Sequence, residues 1–245
     1  MSIAEKLTTI AENEQRVYEA GKNIENKRFW HTIQTKLGWV SYVGWVESRR
    51  TNYNYAFRQW YTATEINPLY PIEADGVTYM FESCQSITKH PPITFLQALS
   101  TYAMFNGCRE LKEANGDFRL TGNVGAMFNG CLNITKINKL IIEGVVYWQP
   151  NTFGQCKKLV ELKVEGAIDT DFYLNDCESL SMASIDGVIG KLSSEYQGYT
   201  NTLTLSRVAV NKAYETEPGK NDGEQSDAWY ARTTLSPSNW NIALV

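Results

Sequence analysis

The chain has 245 residues, a formal net charge of −4, 43% hydrophobic residues and 20% charged residues. These values are typical of a soluble globular protein with one large domain or two small ones. The acidic balance argues against nucleic-acid and anionic-membrane partners, which usually require a basic face. No apolar run reaches the roughly 18 residues that span a bilayer, and the start lacks a signal-peptide pattern. We therefore expect synthesis and folding in a cytoplasm.

The N-terminal residues predict an amphipathic helix over residues 1–37, which ends at Gly38. Ser2 and Glu5 fit a capping box at its start. Apolar residues then recur at heptad spacing, namely Ile3, Leu7, Ile10, Val17 and Ile24. Such a stripe either packs on its own domain or joins chains in a parallel coiled coil. We favour a homo-oligomer, with three chains expected, because isoleucine at both seam positions disfavours dimers.

Residues 38–75 are predicted to be an aromatic-rich N-terminal cap. Ten aromatic residues lie between Phe29 and Tyr61. The stretch WVSYVGWV (39–46) predicts a strand, and TNYNYAFRQWY (51–61) alternates like another. The rings either close the first repeat or form a surface on which sugar rings stack. For the second interpretation the candidate contact residues are Trp39, Trp45 and Trp60.

Residues 76–190 repeat one pattern five times, at intervals of 24, 23, 25 and 21 residues between cysteines. A phenylalanine, or a leucine in the last copy, stands three residues before each cysteine, and an isoleucine or leucine stands three residues after it. The predicted repeat core is Phe81, Cys84, Phe105, Cys108, Phe128, Cys131, Phe153, Cys156 and Cys177. A period near 23 residues is typical of leucine-rich repeats, in which each unit adds a short strand. KLIIEG (139–144) and LVELKVEG (159–166) predict such strands.

The cysteines are interpreted as small apolar side chains in a tight layer, so we expect all five to be buried and reduced. A disulfide framework or a metal site is the alternative. The chain has no Cys-x-x-Cys and an odd number of cysteines, and its only histidines are His31 and His90. We therefore expect no metal and no cofactor.

The sequence contains no motif that predicts catalysis. His31 and His90 have no nucleophile or carboxylate near them in the sequence. Asp169, Asp171 and Asp176 are the candidates for a calcium site, but their spacing fails the EF-hand pattern. We therefore do not expect an enzyme.

Residues 191–245 predict a last repeat and a C-terminal cap. NTLTLSRVAV (201–210) predicts the strand of a last repeat. The end of the chain, NWNIALV, alternates Trp240, Ile242 and Leu244 on one face, as an edge strand does.

The MFNGC units resemble the leucine-rich repeats of the BspA-like group, which occur in surface proteins of gut and oral microbes. MSIAEKLTTIAENEQRVYEAGK, RFW (28–30), NYNYAF (52–57) and NWNIALV are similar, more narrowly, to leucine-rich-repeat proteins of phages and prophages of gut Firmicutes. The resemblance implies a virion component of the tail-fibre, baseplate or head-fibre type. It brings no catalytic residues.

These observations predict an α/β repeat fold, a leucine-rich-repeat solenoid with an N-terminal helix and terminal caps. The expected function is that of a structural virion protein that contacts other virion proteins and binds a host surface glycan or protein. A bacterial surface adhesin and a glycan-active enzyme are the alternatives. An adhesin requires an export signal or anchor, and an enzyme requires paired carboxylates in a cleft.

Overall fold

A computed structural model describes residues 26–35, 38–47, 52–68, 72–195, 198–214, 229, 233 and 236–245. For residues 26–35, 38–47, 67 and 68 it describes the backbone pairing alone. In chain order the elements are β1 (Asn26–Thr35), β2 (Gly38–Glu47), β3 (Ala63–Pro68), β4 (Ile72–Ala74), β5 (Ile93–Phe95), β6 (Glu113–Asn123), β7 (Lys136–Tyr147), β8 (Glu161–Glu165), β9 (Phe172–Leu174), α1 (Met182–Ile189), β10 (Asn201–Leu205), α2 (Arg207–Tyr214) and β11 (Trp240–Leu244).

The predicted fold class, an α/β leucine-rich-repeat solenoid led by a helix, is wrong. The described residues form four small sheets of two or three strands, three of them wholly parallel, and two short helices after residue 181. The segment before each cysteine is a turn and not a helix, because it holds left-handed residues such as Tyr79 (φ 56°) and Ser83 (φ 61°). A residue in that conformation interrupts a right-handed helix.

The N-terminal helix is wrong for residues 26–35, which form β1. β1 pairs with β2 over its whole length as an antiparallel hairpin, with Asn26 opposite Glu47 and Thr35 opposite Gly38. Its aromatic and β-branched residues favour a strand over a helix. Residues 1–25 lie outside the described part of the chain, so a helix there stays a prediction, as do the predicted segment boundaries.

The repeat begins one unit earlier than the cysteines indicate. Residues 54–59, expected as an alternating strand, form a turn of the repeat type instead. Phe57 stacks on Phe81 at 5.3 Å between ring centroids. Trp60 stands three residues after Phe57, where the later units have cysteine. We number the units by their phenylalanines, from repeat 1 (Phe57) through Phe81, Phe105 and Phe128 to repeat 5 (Phe153).

Successive turns are joined by backbone hydrogen bonds at alternate residues. The amides of Tyr55 and Phe57 donate to the carbonyls of Thr78 and Met80 at 3.0 and 2.9 Å. The pattern recurs in the next turn, where Phe81 donates to Met104 at 2.8 Å. Because the same bonds repeat from one turn to the next, equivalent side chains lie directly above one another.

The core is built from these equivalent positions. The phenylalanine rings of repeats 1 to 5 stack with centroids 5.3–6.0 Å apart and planes within 11°. The cysteine and isoleucine or leucine positions are buried beside them. Apolar burial stabilises a fold by about 25 cal/mol per Å², so this continuous column is the main source of stability.

The strands lie beside the turns and extend the stack. β6, β7 and β8 pair in parallel, and bridges from Glu65 to Lys89 and from Lys89 to Glu113 link them to β3. β1 pairs with β3 and so attaches the hairpin to repeat 1. At the other end β11 forms the edge of a parallel sheet with β10 and β9. The strands predicted at residues 39–46, 139–144, 159–166 and 240–244 are confirmed. The strand predicted at 201–210 is confirmed for 201–205 and wrong for 207–210, which begin α2.

Candidate functional site

The five cysteines are buried and free, and they belong to the interior. Four of them donate from Sγ to the carbonyl oxygen of the phenylalanine one repeat earlier, at 2.9–3.2 Å: Cys84 to Phe57, Cys108 to Phe81, Cys131 to Phe105 and Cys156 to Phe128. Burial raises the pKa of Cys84 to about 12 and places the pKa values of the other four well above the ordinary thiol value. A thiol held protonated is a poor nucleophile and a poor metal ligand, so this row supports the fold.

An outward-facing row of aromatic and polar side chains runs along the turns of repeats 1 to 4. The aromatic members of the row stand two or three residues before a phenylalanine, and the polar members stand directly after one. The side chains of the row are exposed or half-buried, whereas the phenylalanines are buried. We call this row the tyrosine ledge, which consists of Tyr55, Arg58, Tyr79, Glu82, Tyr102, Asn106 and Asn129.

The aromatic part of the ledge is continuous across three repeats. The rings of Tyr55 and Tyr79 stack at 4.9 Å with planes 15° apart. The ring of Tyr102 lies 5.3 Å from that of Tyr79 and is turned by 82°, an edge-to-face contact. The guanidinium of Arg58 lies 5.5 and 5.4 Å from the first two rings, within cation–π range.

The polar part of the ledge is a chain of hydrogen bonds through one side chain per repeat. Arg58 Nε donates to Glu82 Oε2, and Asn106 Nδ2 donates to Glu82 Oε1 at 3.3 Å. Asn129 Nδ2 then donates to Asn106 Oδ1 at 3.0 Å. The one cation and the one carboxylate neutralise each other, so the ledge carries no net charge. Desolvation first, and then the neighbouring Tyr102, raise the pKa of Tyr79, whose hydroxyl therefore stays neutral at pH 7.

Two tyrosines of the ledge have an unfavourable backbone conformation. Tyr55 and Tyr79 have φ angles of 61° and 56°, in the left-handed region. At the same position repeats 3 and 4 have Ala103 and Ala126, with φ angles of 51° and 53°. Side chains other than glycine in this region cost on the order of 1–3 kcal/mol each. The turn therefore imposes the conformation but does not require an aromatic side chain.

Of the three tryptophans predicted as ligand contacts, Trp60 does not lie in this row. Trp60 is partly buried, and its ring packs edge-on against Phe57 at 5.4 Å, next to the core. This contact favours the cap interpretation for Trp60. Trp39 and Trp45 lie on β2, paired with Gln34 and Arg28, but their side chains lie outside the described atoms.

The other predicted residues lie either in the core or outside the described part of the chain. Every residue of the predicted repeat core is buried. The residues predicted for oligomerisation, Ile3, Leu7, Ile10, Val17 and Ile24, lie outside the described residues. In the part of the chain that is described, no helix is long and apolar enough to cross a bilayer.

Three residues considered for calcium binding or catalysis, Asp171, Asp176 and His90, form hydrogen bonds within the fold. The Asp171 carboxylate accepts from the Thr202 amide at 2.7 Å, and that of Asp176 accepts from the Gln155 amide at 2.8 Å. His90 Nδ1 donates to the Pro91 carbonyl at 2.7 Å, and its ring lies against Phe105. Among the described side chains, no group of three or more His, Cys, Asp or Glu residues is arranged to hold a metal ion.

Sequence reasoning missed the ledge and a second surface row. The second row is formed by residues five positions after each cysteine, or after Trp60, and its charges alternate: Glu65, Lys89, Glu113, Lys136 and Glu161. These residues are register partners across the sheet, and Lys136 Nζ contacts Glu161 at 2.8 Å. Each lysine of the row therefore lies between two glutamates, and the five residues together carry one net negative charge.

Comparisons of the chain with protein-family models, curated proteins and solved structures give no match. Function is therefore inferred from the residues and their geometry. The ledge combines aromatic rings, hydroxyls, carboxamides and one ion pair in a line. Hydrolysis of a glycoside requires two facing carboxyl groups, and the ledge holds only one, Glu82. The arrangement offers rings, hydroxyls and carboxamides that can bind a polar molecule.

Proposed function

We propose that the chain is a structural and binding component of a phage or prophage-derived virion, of the tail-fibre, baseplate or head-fibre type, and that it attaches to a host cell-surface structure. The tyrosine ledge is the observation that carries the binding part of this proposal. The placement in a virion is supported by the resemblance of MSIAEKLTTIAENEQRVYEAGK and NWNIALV to phage-encoded proteins.

The stacked repeats support a binding role because they expose equivalent groups at regular intervals. Arg58, Glu82, Asn106 and Asn129 occupy one position in four successive turns and are joined by hydrogen bonds. A surface of this kind is long and shallow. Repeat proteins use such surfaces to bind extended polymers or other proteins.

An oligomer would strengthen weak binding at each ledge. Residues 1–24 are proposed to join three chains through the heptad stripe that contains Ile3, Leu7 and Ile10. Several linked ledges bind one surface with an avidity that can exceed single-site affinity by about 10²–10⁴-fold. A virion component that attaches to a cell requires this kind of cumulative binding.

The proposal is tested by measuring how fluorescently labelled full-length protein and a variant that lacks residues 1–24 bind to intact host cells. We expect the full-length protein to bind, and the truncated protein to be a monomer in light scattering and to bind more weakly. Equal binding by both forms would reject the avidity argument. Absence of binding by the full-length protein to the host would reject the attachment function.

The virion assignment requires a separate measurement. Antibodies against the chain are used in immunogold electron microscopy of particles induced from the lysogenic host. We expect label on the particles, at a fixed position such as the tail tip or the head. Label on the bacterial surface with none on the particles would reject the virion assignment and favour the alternative, a bacterial surface adhesin.

A further inference from the structure

We infer that the tyrosine ledge is a saccharide-binding site and that its ligand is an uncharged stretch of an extended polysaccharide. The inference rests on the proposed function, because it names the chemistry of the host structure that the chain would bind. It assigns the contact to Tyr55, Tyr79 and Tyr102 rather than to the tryptophans suggested by the sequence.

The aromatic part of the ledge matches the amphipathic character of sugars. A pyranose ring has apolar C–H faces and a hydroxyl rim, and tyrosine presents an apolar ring with a polar tip. Tyr55 is 52% exposed and lies at the outer end of the stack, and Tyr102 is turned by 82° relative to Tyr79. The row therefore presents rings in two orientations over three repeats.

The spacing of the repeats fits a polymer. The stacked phenylalanines of repeats 1 to 4 are 5.3–5.4 Å apart, and the ledge offers one polar side chain for each such step. This step is comparable with the length of one pyranose unit in an extended chain. The carboxamides of Asn106 and Asn129 supply both donors and acceptors, which hydroxyl groups need.

The charge of the ledge selects against polyanions. Arg58 is its only cation and is paired with Glu82, and the alternating row from Glu65 to Glu161 holds three glutamates and two lysines, so it offers no positive excess either. A site for phosphate- or carboxylate-rich polymers would present unpaired Arg or Lys. A neutral glycan needs no such excess, so we expect its binding to depend little on salt.

The fold does not require tyrosine at the positions of Tyr55 and Tyr79. Ala103 and Ala126 show that alanine satisfies the same left-handed position in the following repeats. The ring of Tyr55 is 52% exposed and adds little buried area to the core. Aromatic side chains that the turn does not need are therefore available to contact a ligand.

The ledge has a defined end. In repeat 5 the residue after the phenylalanine is Gly154, which is buried and has no side chain to continue the polar row. In repeat 4 the positions of Tyr102 and Tyr79 are taken by Gly125 and Ala126. The site therefore spans repeats 1 to 4, with its aromatic part in repeats 1 to 3.

The test uses the full-length chain on a printed array of bacterial polysaccharides, both neutral and polyanionic, at low and at high salt. The main variant is Tyr55→Ala/Tyr79→Ala, which places at these positions the residue that repeats 3 and 4 already have. We expect wild type to bind neutral polysaccharides with little salt dependence, and the double variant to bind them at least about tenfold more weakly.

Two controls separate the site from the fold. Tyr147→Ala removes a tyrosine on β7 that is 60% exposed and is not part of the ledge, and this variant is expected to bind like wild type. Tyr55→Phe/Tyr79→Phe keeps the rings and is expected to bind within about twofold of wild type. Circular dichroism and thermal unfolding establish that the alanine variant is folded.

The outcomes distinguish this inference from the proposed function. Wild-type binding by a folded Tyr55→Ala/Tyr79→Ala variant, or salt-sensitive binding to polyanions alone, would overturn the saccharide site. If intact cells are bound equally well before and after periodate oxidation of their glycans, the attachment function survives and the saccharide site does not. If wild type binds neither cells nor the array, both are rejected.

Discussion

The thiol of Cys108 donates a hydrogen bond to the carbonyl oxygen of Phe81 at 3.1 Å and so joins two successive repeats through their interior. The same carbonyl also accepts from the backbone amide of Cys84 at 3.0 Å. Both lone pairs of a buried oxygen are thereby used. Alanine would fill this position without supplying the second donor, which is a physical reason for cysteine in every unit from Cys84 to Cys156.

The burial of the thiols makes a prediction about their reactivity. A disulfide-exchange reagent reacts with thiolates, and burial raises the pKa of Cys84 to about 12 and that of Cys108 further above its ordinary value. We predict five slowly reacting thiols in the native protein and five fast ones in denaturant, measured by titration with a chromogenic disulfide. A thiol that reacts quickly in the native protein, or a native disulfide, would contradict this picture.

The phenylalanine stack makes a prediction about stability. Phe105 is fully buried between Phe81 and Phe128, at 5.3 and 5.4 Å, and touches Phe118 edge-on at 5.9 Å. Phe105→Ala leaves a cavity in the middle of the stack and is expected to lower the free energy of unfolding by about 3–5 kcal/mol.

Urea denaturation followed by circular dichroism measures this loss. Tyr147→Ala serves as the matched aromatic control and is expected to change the free energy of unfolding by less than about 0.5 kcal/mol, because its side chain is exposed. Similar losses in the two variants would mean that the stack is not the main source of stability.

The sequence predicted the repeat and its strands but not the class of fold. Phe, Cys and Leu recur because each repeat buries the same positions, so the length of the repeat could be predicted from their spacing. The first unit was missed because Trp60 replaces the cysteine on which the copies were aligned. The turn could not be predicted either, because its left-handed positions hold residues of different types, such as Tyr79, Ser83 and Ala103. Glycine, the usual sign of that conformation, stands at such positions of the turn only as Gly107 and Gly130.

The candidate site was within reach of the sequence. Aligning the copies on phenylalanine rather than on cysteine places Tyr55 and Tyr79 at one position and Arg58 and Glu82 at another. What the sequence could not supply is the direction in which these positions point. That direction follows from the turn, which buries the phenylalanine, together with the methionine before it in repeats 2 to 4, and leaves the residue after the phenylalanine at the surface in repeats 1 to 4.

Two glycines are predicted to respond oppositely to alanine. Gly166 has a φ of 87°, and a Cβ there would lie 2.4 Å from the carbonyl oxygen of Ile142. Gly166→Ala is expected to destabilise the protein by about 2 kcal/mol or more, through backbone strain and the clash. Gly187 lies within α1, and a Cβ there would meet no atom within 4 Å. Gly187→Ala is expected to stabilise by about 0.5–1 kcal/mol.

Thermal unfolding of the two variants and wild type under one set of conditions tests both expectations. The melting temperature should fall for the first variant and rise for the second. A neutral Gly166→Ala would show that the bend after β8 can move away from Ile142, contrary to the close approach of Gly166 to the Ile142 carbonyl.

His90 is predicted to make the protein sensitive to mild acid. Its Nδ1 donates to the Pro91 carbonyl, so the neutral ring carries its proton on Nδ1. Its Nε2 is buried and has no hydrogen-bond partner among the described residues. Protonation would place a charge between the rings of Phe105 and Phe118, and burial accordingly lowers the pKa of His90.

The sign follows from the two states of the chain. The unfolded chain binds a proton at His90 as the pH falls below about 6.5, whereas the folded chain resists protonation until a lower pH. The contribution of His90 to the free energy of unfolding is therefore full above pH ~6.5, decreases as the pH falls from ~6.5 towards the lowered pKa of the folded state, and levels off below that pKa. His90→Asn keeps a donor for the Pro91 carbonyl and cannot titrate, so it should remove this decrease. His31→Asn, at the chain's only other histidine, is the matched control. Urea denaturation at neutral and mildly acidic pH measures the effect, and an equal loss in His90→Asn and wild type would assign the acid sensitivity to other groups.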